Sequence, residues 1–471
     1  LVLALAVAKD GRILWEEGFG KADRENDIAA DENTMYSLAS VTKTFTATGL
    51  MTLVQAGKVD LDRPINDYFG EAKLVARVGD INQVTVRRVA NHTSGLGTAE
   101  QFFYGDERKL VPSMDQSIAR YGNIVREPGS RYSYNNFGYG LLDYVVERVS
   151  GMPFADYMRQ NVYLPLDMTH SSIGVAPGLE RYAAVRYGPK RERIPDYGFA
   201  EPGAAAMYSS AHDLVRYGMF VQGQRVPGQK AILDRHSLDA MIQNAAKEGE
   251  GDYYGIGMQV MDLGKYRWIG HGGSMSGVST TLMMVPSEGI TVVVLGNLSG
   301  APVGKVSEAI LKTLLPDWGR PEVAKAATAT PPKPAPELDA AVALPASLTG
   351  DWRGVVHTYE GDIPAVLRVL PSGQVHLRIN DQLWSLVNSV KFEDGRLSGR
   401  ALSHLQTQDV SRRRHAVRLD LELDGDTLKG EAMAGSGPVG PAGVQDPYFV
   451  FGLNHWMELR RATAGGSPTG E

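Results

Sequence analysis

Ser37-Leu-Ala-Ser-Val-Thr-Lys-Thr-Phe-Thr-Ala-Thr-Gly-Leu-Met-Thr-Leu-Val-Gln-Ala56 is the stretch around which the rest of the chain is organised. Ser40 stands at a predicted helix start, and Lys43 lies three residues on. That spacing sets both side chains on one helical face, near enough for an amine to take a hydroxyl proton. From Phe45 to Val54 the helix is apolar on most faces, which predicts a buried pillar. A buried helix N-terminus also aims unpaired backbone N–H groups at whatever reacts with Ser40. Serine is common at helix starts because it caps them, so the pair alone is a weak signal. Its weight rises because Ser40 is the only serine with a lysine at that offset, and because two further motifs follow in order.

The 471 residues are too many for one ordinary domain and suggest two or three. Hydrophobic content of 43% beside 22% charged residues belongs to a soluble globular protein. A net charge of −6 gives no reason to expect nucleic acid as a partner. There is no cysteine, which excludes disulfides, thiol catalysis and thiolate metal sites but does not fix the compartment. Residues 1–8 are apolar like the core of a signal peptide. No basic segment precedes them, however, and the chain continues as a hairpin with Asp10-Gly11 as its turn. The reading is a first strand cut at its start, in a processed or trimmed product whose targeting segment is lost from view. No run is long enough to span a membrane.

Residues 2–20 read as two paired strands, and 40–57 as the pillar helix, ended by Gly57. Residues 61–69 are a loop and short helix. A helix over 85–90 leads into Asn91-His-Thr-Ser-Gly-Leu96, where His92 and Ser94 read as parts of a polar turn. Residues 100–235 mix helices with long polar loops and show no strand pattern. Within them, Tyr134-x-Asn136 opens a helix over 138–150 closed by Gly151, so a phenol and an amide can face a cleft. Tyr134 could equally be a half-buried aromatic, and Asn136 a helix cap. Strands follow at 254–261, 266–270, 277–285 and 290–295, then a closing helix over 301–315. His271-Gly-Gly-Ser274, the only His-x-Gly in the chain, falls at the end of the second of these. Paired glycines let a backbone approach a ligand closely, though a lone histidine is more often structural. Strands at both ends with helices between predict an α+β fold, an antiparallel sheet assembled from both ends beside a helical lobe.

Residues 316–345, rich in Pro and Ala, read as a semi-rigid linker. Beyond it lie strands only, with clean alternation over 365–370, 375–379 and 416–423. About eight short strands over 346–461 suggest an up-and-down antiparallel barrel or sandwich, with Trp352 and Trp456 at its two ends. Residues 462–471 read as a disordered tail.

Ser40-x-x-Lys43, Tyr134-x-Asn136 and His271-x-Gly273 are each weak alone, but the ordered set is strong. With the sheet built from both ends, residues 1–315 resemble the serine β-lactamase and penicillin-binding protein superfamily, nearest its class C branch. That branch also holds carboxylesterases, DD-peptidases and D-aminopeptidases. Asn91-His-Thr-Ser-Gly-Leu96, Tyr163-Leu-Pro-Leu-Asp-Met168 and Tyr208-Ser-Ser-Ala-His-Asp-Leu214 extend the likeness. The strand-only part resembles, less specifically, the lipocalin-like modules that some peptidases of this group carry.

The resemblance implies Ser40 as acylated nucleophile and Lys43 as its base, which requires an amine that is neutral part of the time. It implies Tyr134 as proton relay and Asn136 as a partner of the substrate's acyl side. The backbone N–H groups of Ser40 and Ser274, beside Gly273, would hold the oxyanion, and His271 would support Tyr134 or orient substrate. Penicillin-degrading members usually carry Lys where His271 stands, and a mostly neutral histidine weakens the attraction for a β-lactam carboxylate. D-aminopeptidases resemble this chain in having His there. The expected function is therefore amide or peptide hydrolysis, with small esters next and β-lactam turnover third. Two readings from other classes stand beside it: an acylation sensor that never deacylates, and a barrel that itself binds an apolar ligand or cell-wall material. A blander role for the barrel is to cover the active-site rim or help subunits pair into a homo-oligomer. Family likeness implies a periplasmic or secreted location. No Gly-x-Ser-x-Gly, His-Glu-x-x-His or phosphate-binding loop occurs, so no cofactor or metal is expected. Substrate choice is expected to lie in loops around 100–127 and 181–205.

Overall fold

The computed structural model describes residues 3–243, 245–319, 344–436 and 451–462. Its centre is an eight-stranded antiparallel sheet in which both ends of the first 300 residues meet. In spatial order the strands are Ala246–Gly249, Asp252–Tyr254, Gln259–Asp262, Arg267–Met275, Val278–Val285, Ile290–Gly296, Leu3–Lys9 and Arg12–Phe19. The first strand pairs with the last from Leu3 opposite Gly296 to Lys9 opposite Ile290.

Alternation along that first strand sorts the layers. Leu3, Leu5 and Val7 face the helix Val303–Leu314 together with Val292 and Val294. Ala4, Ala6 and Ala8 face the other way, and their small side chains let the helix Ala211–Val221 lie close. Gly218 on that helix takes the approach furthest, since a Cβ there would sit 2.4 Å from Thr291. Behind it stands the pillar helix Thr42–Gln55, buried along most of its length.

Several elements differ from the sequence reading. Residues 254–261 form two strands, not one. The chain folds back at Gly255–Met258, with Gly257 at φ +73 and Gly255 N–H bonded to the Met258 carbonyl at 2.8 Å. Strand Arg267–Met275 runs through His271, which therefore sits in its middle rather than at its end. The region 100–235 does contain strands, among them Ala99–Gln101, Ser171–Ile173 and Met207–Ser209. At two or three residues each they are too short to show a period. Asn135, not Asn136, caps the helix Asn136–Ser150, its side chain accepting from Gly138 N–H. Trp318 packs against Tyr266 of the sheet, ring centroids 5.9 Å apart, although it falls in the segment read as linker. The rest of that segment over 320–343, and the tail beyond 462, lie outside the described residues.

The C-terminal strands form a closed antiparallel barrel of eight in up-and-down order, from Gly350–Thr358 to Phe451–Arg461. Pairing of the first with the last closes it, and these two strands carry the buried Trp352 and Trp456. The interior is filled by side chains such as Leu367, Leu377, Leu421, Leu428 and Met457. The last strand outruns its partner, and its first residues pair instead with Ala99–Gln101, Gly452 opposite Glu100. One strand of the barrel thus borrows its neighbour from the wall of the first part. Among the described residues no helix is long and apolar enough to cross a membrane.

Candidate active site

Ser40 lies in a single 3-10 turn, Ala39–Val41, just ahead of the pillar helix. Ala39 before it is held at φ +48, a conformation that costs a non-glycine residue about 1–2 kcal/mol. Packing imposes it. Leu38 N–H bonds to the Met207 carbonyl at 2.9 Å, and the Leu38 carbonyl accepts from Thr280 Oγ1 at 2.7 Å. Strand Arg267–Met275 then lies directly against the turn. A Cβ on Gly273 would fall 2.2 Å from the Leu38 carbonyl oxygen and 3.3 Å from Ala39 Cβ, so only glycine fits. Ser274, the next residue, is exposed to the cleft beside Ser40.

The pillar is rich in threonine, poor material for an isolated helix. Its buried hydroxyls bond outward and fix the helix to its surroundings. Thr42 Oγ1 accepts from Met207 N–H, Thr44 donates to the Gly257 carbonyl at 2.8 Å and Thr46 to the Gly203 carbonyl at 2.7 Å. Lys43 is thereby held fully buried. Its Nζ lies 3.1 Å from Ser40 Oγ, 2.6 Å from Asn136 Oδ1 and 3.0 Å from the Ala204 carbonyl. A neutral amine has two N–H donors and one lone pair. Asn136 and Ala204 take the two donors, which leaves the lone pair for the Ser40 hydroxyl. Burial favours that neutral state, pushing Lys43 down to about 7 against an opposing pull from Glu100 and Glu201. Glu201 is itself buried, and desolvation together with Glu100 and Asp143 raises its carboxyl well above the usual range. Of the two carboxylates, the half-buried Glu100 exerts the larger pull on Lys43. Asp143 anchors the Ala204 segment by accepting from Gly203 N–H at 2.6 Å.

Tyr134 presents its ring to the cleft while its hydroxyl end is sunk beside Ser40. Burial pushes this phenol up, so it remains protonated and can relay a proton but not store negative charge. Lys43 Nζ lies 4.9 Å from the Tyr134 ring centroid. His271 is buried, with Nδ1 2.5 Å from the Gly272 carbonyl and Nε2 2.9 Å from the Tyr254 hydroxyl. A carbonyl only accepts, so Nδ1 carries the proton and Nε2 accepts from Tyr254. Desolvation and the nearby Lys43 push His271 down to about 3. The ring is neutral, and its bond goes to Tyr254 rather than Tyr134, whose centroid is 6.3 Å away.

Ser40, Lys43, Tyr134, Asn136, His271, Gly273 and Ser274, drawn from three distant stretches, thus meet in one cleft. Sequence reasoning missed four neighbours. His92, read as part of a polar turn, is buried at φ +62 with its ring centroid 4.5 Å from both Tyr134 and Tyr254. Its Nδ1 accepts from Asn135 N–H at 3.1 Å, which fixes the entry of the helix bearing Asn136. The others are Tyr254, Glu100 and Glu201. A histidine inside Asn91-His-Thr-Ser-Gly-Leu96 was the one available signal; nothing in the sequence marks the two glutamates.

A family model described as Beta-lactamase matches residues 2–315. Protein flp of Staphylococcus aureus (strain N315) is 22% identical over 313 residues, covering 65% of this chain and 61% of that protein. The chain therefore spans less than two thirds of that relative's length. The octameric penicillin-binding protein homologue from Pyrococcus abyssi superposes with a TM-score of 0.58 at 21% identity, over 97% of this chain and 96% of that one. D-amino acid amidase from Ochrobactrum anthropi SV3 gives 0.55 at 24% identity, over 67% of this chain and 92% of its own. These two likenesses establish a shared fold.

Proposed function

We propose that the chain, which belongs to the Beta-lactamase family, is a serine hydrolase that cleaves amide or peptide bonds through an acyl-enzyme on Ser40. The observation that carries the reading is the bonding of Lys43, whose two donors are occupied and whose lone pair faces Ser40 Oγ. Oγ bonds to the carbonyl carbon as its proton passes to Nζ. The oxyanion is met by the N–H groups of Ser40 and Ser274, donors that in such sites are worth about 2.7–4 kcal/mol each. Collapse of the tetrahedral intermediate expels the amine, which takes the proton from Lys43 through the Tyr134 hydroxyl. Water then attacks the acyl carbon by the same route in reverse, giving the acid and free Ser40. Asn136, with Oδ1 held by Lys43, has its amide nitrogen left for the acyl side of the substrate.

Neutral His271 offers no charge to a β-lactam carboxylate, so esters rank second and β-lactams third. Residues 1–315 are the proposed catalytic unit and 346–461 its accessory barrel. A periplasmic or secreted location is proposed from family resemblance alone, and self-association from the octameric fold neighbour, which light scattering on the purified protein tests. The deciding assay is a panel of D-amino-acid p-nitroanilides, p-nitrophenyl esters and a chromogenic cephalosporin against wild type and Ser40→Ala. Anilide turnover that disappears in the variant supports the proposal; undiminished activity without the hydroxyl ends it. A stable adduct on Ser40 with no second turnover would move the chain to the sensor reading.

A further inference from the structure

Both proton acceptors of Lys43 are set by one helix. Asn136 and Asp143 stand two turns apart on one face of Asn136–Ser150, with Gly140 between them. Asn136 Oδ1 takes the first Lys43 proton directly, at 2.6 Å. The second goes to the Ala204 carbonyl, at 3.0 Å, which lies in the single turn Pro202–Ala205. So short a turn has no stability of its own, and its neighbours must fix its place. Its Gly203 N–H, which has no partner within the turn, donates to Asp143 Oδ2 at 2.6 Å. The Gly203 carbonyl accepts from Thr46 Oγ1 at 2.7 Å. A Cβ on Gly203 would lie 2.7 Å from Asp143 Cβ and 2.8 Å from the Tyr139 carbonyl oxygen. One on Gly140 would lie 2.8 Å from Glu201 Cγ, so turn and helix touch with no room between them.

Asp143 is 5% exposed, and burying a carboxyl costs the fold unless the group is bonded. Burial raises it well above the usual carboxylate range, against the pull of the Gly203 bond. The titratable groups that act on it are Glu147 and Glu201, both acidic, so no ion pair accounts for its place. What it does hold is the Gly203 N–H. We propose that Asp143 is a positioning residue for the proton transfer: by holding Gly203 it fixes the adjacent Ala204 carbonyl. Together with Asn136 it thereby sets the direction in which Lys43 presents its lone pair to Ser40. A carboxylic acid, a carboxylate and an amide all offer an acceptor oxygen at that reach, so the role asks for geometry rather than charge. The inference rests on the serine hydrolase reading and adds a residue that touches neither substrate nor nucleophile.

The test follows phosphonylation of Ser40 by an uncharged fluorophosphonate, timed by mass spectrometry on the full chain over about two pH units either side of neutrality. Asp143→Asn keeps the acceptor, so it should label within about threefold of the wild-type rate with its pH limb in place. Asp143→Ala frees the Ala204 carbonyl. Its plateau rate should fall about tenfold or more, because the lone pair is no longer aimed. Its limb should move to lower pH, because a carbonyl bonds the ammonium form more strongly than the amine. Lost stability alone would move no limb in variants that melts show to be folded at the assay temperature. An Asp143→Ala chain that labels like wild type, or more slowly with an unmoved limb, overturns the proposal. So does an Asp143→Asn limb displaced to lower pH, which would mean that charge matters. That near-isosteric variant decides the question even if Asp143→Ala does not fold. Either result beside a wild type that labels on Ser40 removes the positioning role alone, whereas a wild type that never labels loses the hydrolase reading with it.

Discussion

In the proposed mechanism Lys43 carries the proton, and burial fits it for that by removing the water that would keep it charged. Ser40→Ala should lower kcat by roughly three or more orders of magnitude with unchanged circular dichroism, as for other lost nucleophiles. Acylation should rise with pH along a limb centred near 7, since only the neutral amine accepts the hydroxyl proton. His271, pushed down to about 3, adds no limb near neutrality. Glu100→Gln removes a charge that favours protonated Lys43, so the limb should move to lower pH; a limb that stays or moves upward contradicts this electrostatic account. The same burial has a stability side. With its pKa below the ordinary lysine range, Lys43 costs the folded state most below about pH 7, and that cost fades as pH rises toward the ordinary value of 10.5. Lys43→Met should therefore be inactive yet raise stability by about 1–3 kcal/mol at pH 7, read as a higher melting temperature.

Two contacts between elements set the cleft: the His271 strand against the nucleophile turn, and the bridging strand Ala99–Gln101 against the barrel. For the first, Gly273→Ala drives a methyl into the Leu38 carbonyl. The turn must shift, and kcat should fall by about a hundredfold or more, because catalytic geometry tolerates little displacement. The second is clamped by Asn454, whose Nδ2 donates to the carbonyls of Thr98 at 2.9 Å and Tyr121 at 3.0 Å while its Oδ1 accepts from Asn123. Asn454→Ala orphans the Tyr121 carbonyl and the Asn123 amide, while the Thr98 carbonyl keeps its backbone bond from residue 454, and should cost about 2–4 kcal/mol in a denaturant melt. Element types were legible where a segment satisfied itself locally. The two N-terminal strands show alternation and a turn, and the helix Asn136–Ser150 shows its closing glycine. The fold-back at Gly257 was not, because an apolar run reads alike whether straight or folded. Its reason is tertiary: a Cβ on Gly257 would strike Ala47 of the pillar at 2.4 Å.

At the scale of the molecule the barrel is fused to the sheet-and-helix part rather than tethered to it. Arg126 reaches Asp420 at 2.8 Å and Glu431 at 3.4 Å, and the hydroxyls of Tyr121 and Tyr359 both donate to Asp409 from opposite sides of the junction. The buried core runs across the same boundary. Calorimetry should then show one cooperative transition; two well-separated ones would mean the parts fold independently. Since the segment bearing Glu100 is a strand of this junction, the barrel holds one wall of the cleft in place.

The sequence by itself determined which groups are candidates for the proposed chemistry. Ser40 and Lys43 are one helical turn apart, so their meeting is a matter of local geometry. Alternation likewise announced the barrel and a sheet made from both ends. Only the tertiary structure decided the state of those groups. That Lys43 is near neutral, that His271 bonds to Tyr254 and carries no charge, and that Glu100 and His92 stand close to these groups all depend on burial and on through-space neighbours. Protonation follows the dielectric and the charges within a few ångströms, and these are assembled from segments that nothing along the chain brings together.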